Sequence, residues 1–242
     1  MKKKIPLYEP TIGHLEKKYV NHCLNTNWIS SKGKFINLFE NKFRQFTKIN
    51  YCLSVTNGTC GLHLALRSLE VGKKDEVIVP SFTYIATVNC ISYVSAKPVF
   101  VDVDLNNWQI SLDQIKKKIN NKTKAIIIPH LYGNVCDIST LLKIKKKYNL
   151  FLIEDCAESI GSYYENKHVG NFGDVSVFSF FGSKTISTGE GGMVCTNNKN
   201  IAKKINKLKG QGLKITNTKK YYWHDVIGYN YRMTNICAAL GY

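Results

Sequence analysis

At 242 residues, with 44% apolar and 12% aromatic content, the chain is long enough for one large domain with a substantial core, which excludes a disordered protein. No apolar run approaches membrane-spanning length, and the Met-Lys-Lys-Lys start leads into Ile5-Pro-Leu-Tyr-Glu-Pro with no hydrophobic signal region, so a cytoplasmic protein is expected. The formal net charge of +17 invites a nucleic-acid reading, but Lys116–Lys118 and Lys145–Lys147 are clustered as on the wet side of helices, without interleaved aromatics, which argues against it, while anionic small substrates stay compatible with the charge.

In chain order, Ile12, Leu15, Tyr19 and Cys23 recur at helical spacing, as do Phe35, Phe39, Phe43 and Phe46, which predicts two amphipathic helices. The polar link Asn27–Gly33 between them carries Trp28, a ring that belongs either to the core or to a pocket. Short β-rich runs then alternate with helical stretches: Tyr51–Val55, Val77–Val79, Val99–Val101, Ala125–Ile128, Phe151–Ile153, Val175–Phe178 and Met193–Cys195. Continuous apolar strands such as Ala125-Ile-Ile-Ile imply burial on both faces. The fold class is therefore α/β, a mostly parallel sheet flanked by helices, with the site on loops at the strand ends. No linker or internal repeat marks a second domain. The eight cysteines are scattered without a Cys-x-x-Cys pair and the histidines are dispersed, so neither disulfides nor a zinc site is expected.

Five positions carry possible chemistry. Lys184 lies in Phe-Phe-Gly-Ser-Lys-Thr-Ile-Ser-Thr-Gly-Glu-Gly-Gly, between an apolar β-leaning run and a glycine turn. It reads as a buried amine suited to Schiff-base chemistry with a carbonyl cofactor, or else as a loop lysine. Thr56-Asn57-Gly58-Thr59 feeds a helical run from Leu62 to Leu69, which suits a phosphate monoester at a helix N-terminus or, more simply, an N-cap turn. Asp155, at the end of strand Phe151–Ile153, either pairs with a protonated pyridine nitrogen or caps the following segment. Tyr84 stands after a strand end, where it either stacks on a flat ring or fills the core, and Ser179 follows the strand that leads to Lys184.

Together with Glu-Val-Ile-Val-Pro-Ser-Phe-Thr-Tyr, Lys-Pro-Val-Phe-Val-Asp-Val-Asp, His-Leu-Tyr-Gly and Ile-Glu-Asp-Cys-Ala-Glu-Ser, these residues resemble the DegT/DnrJ/EryC1/StrS family of pyridoxal-phosphate sugar aminotransferases, collinearly from about residue 5 to the last residues. The resemblance implies an aspartate-aminotransferase-like (fold type I) large domain over residues 1–242, with an N-terminal helical segment and pyridoxal 5′-phosphate as cofactor. Lys184 would form the covalent Schiff base and Asp155 would pair with the ring nitrogen. Tyr84 would stack, Gly58, Thr59 and Ser179 would hold the phosphate, and Glu158 would lie beside the phenolic oxygen. It further implies a homodimer with a shared site, since Asn230 of Gly-Tyr-Asn-Tyr-Arg matches an asparagine that reaches the phosphate of a neighbouring subunit. L-glutamate would be the amino donor and a nucleotide-linked 4-keto-6-deoxy sugar the acceptor. The Trp28-Ile-Ser-Ser-Lys-Gly-Lys and Tyr222-Trp-His-Asp segments are similar to the subset that aminates GDP-4-keto-6-deoxymannose.

Family members continue past the Asn-Tyr-Arg motif into a small C-terminal domain, whereas this sequence stops at Tyr242 within an expected helix, Asn235–Leu240. That domain is therefore expected to be missing. Two other classes stay open: a related sugar dehydratase, whose members resemble this chain with histidine in place of Lys184, and a catalytically inactive truncated paralogue acting as a binding partner.

Overall fold

The computed structural model describes residues 5–214 and 222–242; the Met1 to Lys4 start lies outside the described residues. Helix α1 (His14–Asn25) begins where the Glu16 carboxylate accepts the Gly13 amide at 2.8 Å, so Ile12 falls before the helix and is exposed, as is Leu15. Of the expected apolar stripe only Cys23 is fully buried.

Helix α2 (Lys34–Thr47) is the stronger amphipath, burying Phe35, Phe39, Phe43 and Thr47. That spacing of four puts Thr47 in the fourth inward place, one residue and about 100° of helical rotation beyond Phe46. Phe46 is accordingly exposed, its ring 5.3 Å from His168, which corrects the expectation that it joins the core stripe. The inward rings meet aromatics at the end of the Val175–Ser179 strand, Phe43 edge-on to Phe178 at 4.9 Å and Phe39 tilted against Phe180 at 5.1 Å.

The sheet strands are β1 (Tyr51–Val55), β2 (Glu76–Pro80), β3 (Lys97–Val101), β4 (Thr123–Pro129), β5 (Phe151–Asp155), β8 (Val175–Ser179) and β9 (Gly192–Thr196), in the order β1-β9-β8-β5-β4-β2-β3. A small hairpin of β6 (Tyr163–Tyr164) and β7 (Lys167–His168) precedes β8. The connecting helices are α3 (Gly58–Ser68), α4 (Ile85–Tyr93), α5 (Leu112–Lys118), α6 (Ile138–Tyr148) and α7 (Lys199–Lys209), and α8 (Asn235–Gly241) packs on α1 and α2. Strand β9 pairs antiparallel with both neighbours and alone runs against the other six.

The double-sided burial expected of β4 is seen residue by residue. Ala125 and Ile127 join the core under α3 and α4, while Ile126 and Ile128 join the core under α5 and α6. The lysine clusters occupy the last turns of α5 and α6, where the helix dipole favours cations, and Lys145 pairs with Asp174 at 2.8 Å. Six of the eight cysteines are buried, as expected of small apolar side chains. No described helix is long and apolar enough to cross a membrane.

Candidate active site

The ends of β1, β2, β4, β5 and β8 surround a cavity of about 430 Å³ whose walls include Gly58, Thr59, Tyr84, Asp155, Glu158, Ser179 and Lys184. At its first wall the chain leaves β1, and the Thr56 amide donates to the Tyr231 carbonyl at 3.0 Å. Asn57 then caps α3 by accepting the Cys60 amide at 2.8 Å. The N-cap reading of this turn is what the structure shows, and Asn57, Gly58 and Thr59 stand on the cavity wall. A Cβ on Gly58 would lie 3.1 Å from the Ser179 Cβ, so glycine is what lets the start of α3 close on the end of β8.

Asp155 ends β5, buried, and two donors reach it: the Thr87 hydroxyl at 2.7 Å on Oδ2 and the Ala157 amide at 3.1 Å on Oδ1. Burial raises its carboxyl above the ordinary range, against the opposing pull of these bonds and of Lys184 and His130. Each oxygen keeps acceptor capacity for a group in the cavity. Tyr84 is the N-cap of α4 and is 69% exposed, which places it on the cavity wall and not in the core. Trp28 is likewise no core residue, lying with His22, Thr26 and Lys34 around a separate shallow cleft.

Lys184 sits in the turn after β8, held by its amide to the Phe181 carbonyl at 2.9 Å. Its side chain is 20% exposed, so burial is partial, and its Nζ is 3.2 Å from Glu158 Oε1. Glu158 is itself fixed by the Tyr132 amide at 3.1 Å on Oε2. Tyr132 adopts φ 53°, a left-handed conformation unusual for a non-glycine residue, within the Leu131–Gly133 turn that brings its amide there. The amine is thus positioned by a carboxylate that the adjacent turn holds in place.

Two residues next to this constellation were not singled out by sequence reasoning. Glu154, beside Asp155 but pointing to the opposite face of the sheet, accepts the amides of Gly170, Phe172 and Gly173 at 2.7, 2.8 and 2.6 Å and His130 Nε2 at 3.1 Å. Since a carboxylate only accepts, Nε2 carries the proton in that bond. Burial would raise the Glu154 carboxyl, but the bond and charge of His130, with the amides of Gly173 and Gly170, outweigh it and hold it below the ordinary range. One histidine does meet a carboxylate and a thiol that its sequence spacing did not suggest: ligand atoms of His130, Glu154 and Cys156 lie within 4.8 Å of one another. Both Glu154 oxygens are already committed, so the cluster is a saturated anion hub. The available signal was Ile-Glu-Asp itself, in which two consecutive strand carboxylates must face opposite ways.

Asn230 does not line the cavity. It is exposed, bridged to Gly210 through the backbone, and its Oδ1 accepts Arg232 Nη2 at 3.1 Å. The Gly228–Arg232 stretch packs instead beside the end of β1, where Val55 bridges to Arg232.

A family model described as the DegT/DnrJ/EryC1/StrS aminotransferase family matches residues 10–242. The chain belongs to that family. It is 56% identical over 239 residues to the GDP-perosamine synthase of Escherichia coli O157:H7, an alignment covering 99% of this chain and 65% of that protein. Among solved structures it is similar to an aminotransferase from Psychrobacter cryohalolentis, with TM-score 0.91, 34% identity and coverage of 96% of this chain and 61% of that one. It is also similar to Spr1654 from Streptococcus pneumoniae in its PLP form, with TM-score 0.91, 30% identity and coverage of 99% and 65%. The chain spans just under two thirds of the length of the curated relatives it matches. Its architecture is that of the family's aminotransferases, a mostly parallel seven-stranded sheet flanked by helices.

Proposed function

We propose that this chain carries the pyridoxal-phosphate site of an enzyme that transfers the amino group of L-glutamate to a nucleotide-linked 4-keto-6-deoxy sugar. GDP-4-keto-6-deoxymannose, giving GDP-perosamine, is the favoured acceptor. The observation that carries the reading is the convergence of Lys184, Asp155 and an amide-rich helix start on one cavity. The cavity fits the cofactor: Gly58, Thr59 and Ser179 stand together on its wall, and Asp155 is a buried carboxylate with spare acceptor capacity. The choice of sugar is supported by the 56% identity to a GDP-perosamine synthase.

Bound pyridoxal phosphate supplies a carbonyl that condenses with amines and a ring that draws electrons from the bond being broken. The protein's share is placement and proton handling. The first-turn amides of α3, with Thr59 and Ser179, bind the phosphate at the positive end of the helix dipole. Asp155 holds the proton on the ring nitrogen, and Tyr84 covers the ring face. Lys184 Nζ would be the amine that holds the carbonyl and, when free, the base that moves the proton, with Glu158 at 3.2 Å orienting it. In this reading the enzyme is a homodimer, and Asn230 of a second copy completes the phosphate site.

The test is spectroscopic. Protein saturated with pyridoxal phosphate should show a visible band that disappears on adding L-glutamate, with formation of 2-oxoglutarate. Lys184→Ala should lack the band; a variant keeping both colour and turnover would sink the assignment.

A further inference from the structure

Thr87 lies buried in the first turn of α4, three residues after Tyr84, with its amide bonded to the Tyr84 carbonyl at 3.1 Å. Its hydroxyl is 2.7 Å from Asp155 Oδ2 and 3.1 Å from the Thr83 hydroxyl, and Thr83 stands on the cavity wall. A hydroxyl has one proton and an ionised carboxylate has none, so the proton order is fixed: Thr83 donates to Thr87, and Thr87 donates to Asp155. Protonating Oδ2 would place two hydrogens in one contact unless both hydroxyls turned round. The chain of bonds therefore favours the ionised carboxylate and polarises in its support.

We propose that Thr87 is a positioning residue that keeps Asp155 ionised and aimed into the cavity, and thereby sets the preference of the site for a ligand with a protonated ring nitrogen, with Thr83 as the outer link. This deepens the function proposed above and rests on it. The other groups around Asp155 do not replace the hydroxyl. The Ala157 amide is fixed by the backbone, Lys184 is engaged by Glu158, and His130 is engaged by Glu154. The thiols of Cys90 and Cys156 are both pushed upward, chiefly by burial, and supply no positive charge. Among the influences that oppose the cost of burying Asp155, the Thr87 bond comes first.

The decisive experiment follows the Asp155 carboxyl by ¹³C NMR in the cofactor-free protein, assigned with Asp155→Asn, and compares Thr87→Val with Thr87→Ser. The valine variant, of matching shape, should raise the Asp155 midpoint by roughly one to two units, the serine variant should restore it, and Thr83→Val should move it less in the same direction. Thr87→Val should also weaken pyridoxal phosphate about tenfold, while leaving affinity unchanged for 1-deazapyridoxal phosphate, in which carbon replaces the ring nitrogen. An unmoved midpoint, or equal weakening of the two ligands, would overturn the role of Thr87. If the unaltered protein fails to bind pyridoxal phosphate, the functional reading falls, while the Asp155 titration still judges Thr87.

Discussion

Glu154 and Asp155 are neighbours in one strand, both buried and differing by a single methylene, yet they stand in opposite chemical situations. Glu154 is saturated by three backbone amides and a histidine. Asp155 has two donors and an open cavity before it. The difference arises from strand pleating. One side chain enters the face closed by the 170–173 loop, the other the face where the first turn of α4 borders the cavity. A buried carboxylate with all its partners is architecture; one left with spare acceptor capacity at a cavity is a site.

The comparison can be broken most directly by exchanging charges. Asp155→Asn should lower transamination by about two to three orders of magnitude, because an amide cannot hold a proton on the ring nitrogen. Its stability to urea should stay within about 1 kcal/mol of the unaltered protein. Glu154→Ala should do the reverse, costing roughly 3–5 kcal/mol in urea unfolding because it strands three amides and His130. Should the two variants lose stability equally, the division between architecture and site would be wrong.

The same contrast predicts a pH dependence. Glu154 has a folded value below its ordinary 4.5, so its contribution is fully present above about that pH and is lost as pH falls through the lower folded value. Asp155 is shifted upward from 3.8, so its ionisation costs stability as pH rises through the folded value. Urea midpoints measured downward from pH 7 should therefore drop below about pH 4.5 in the unaltered protein, and this acid loss should be smaller in Glu154→Gln. The smallest effect concerns Tyr84: replacing it with Ala should weaken cofactor binding only about fivefold, since one stacking contact is worth about 1 kcal/mol. Equilibrium dialysis would show whether the loss is larger, as a core role would require.

Much of this arrangement was legible in the chain. The runs at Ala125–Ile128 and Val175–Phe178 are strands because short segments rich in β-branched and aromatic residues have few other ways to be buried on both sides. Lys184, Asp155 and Tyr84 could be named because each follows such a run, where α/β sheets place their sites. Phe46 went astray because three- and four-residue spacings both read as helical, and only the packing of α2 on β8 chose between them. His130 and Glu154 are 24 residues apart and meet only because β4 and β5 pair in parallel. Thr87 is 68 residues from the carboxylate it touches.

What the sequence determined by itself is the local grammar: which segments are strands and helices, which turn caps α3, and which residue types could hold a phosphate, a ring nitrogen and a carbonyl. These follow from periodicity, capping and side-chain chemistry, which act over a few residues. The tertiary structure decided the partners, namely that Glu154 is closed off while Asp155 is open, that Thr87 donates to Asp155, and that Glu158 pairs with Lys184. Those choices depend on strand order, on pleat direction and on where a helix ends against a sheet, because hydrogen bonds form between groups that folding brings within about 3 Å, however far apart they lie in the chain.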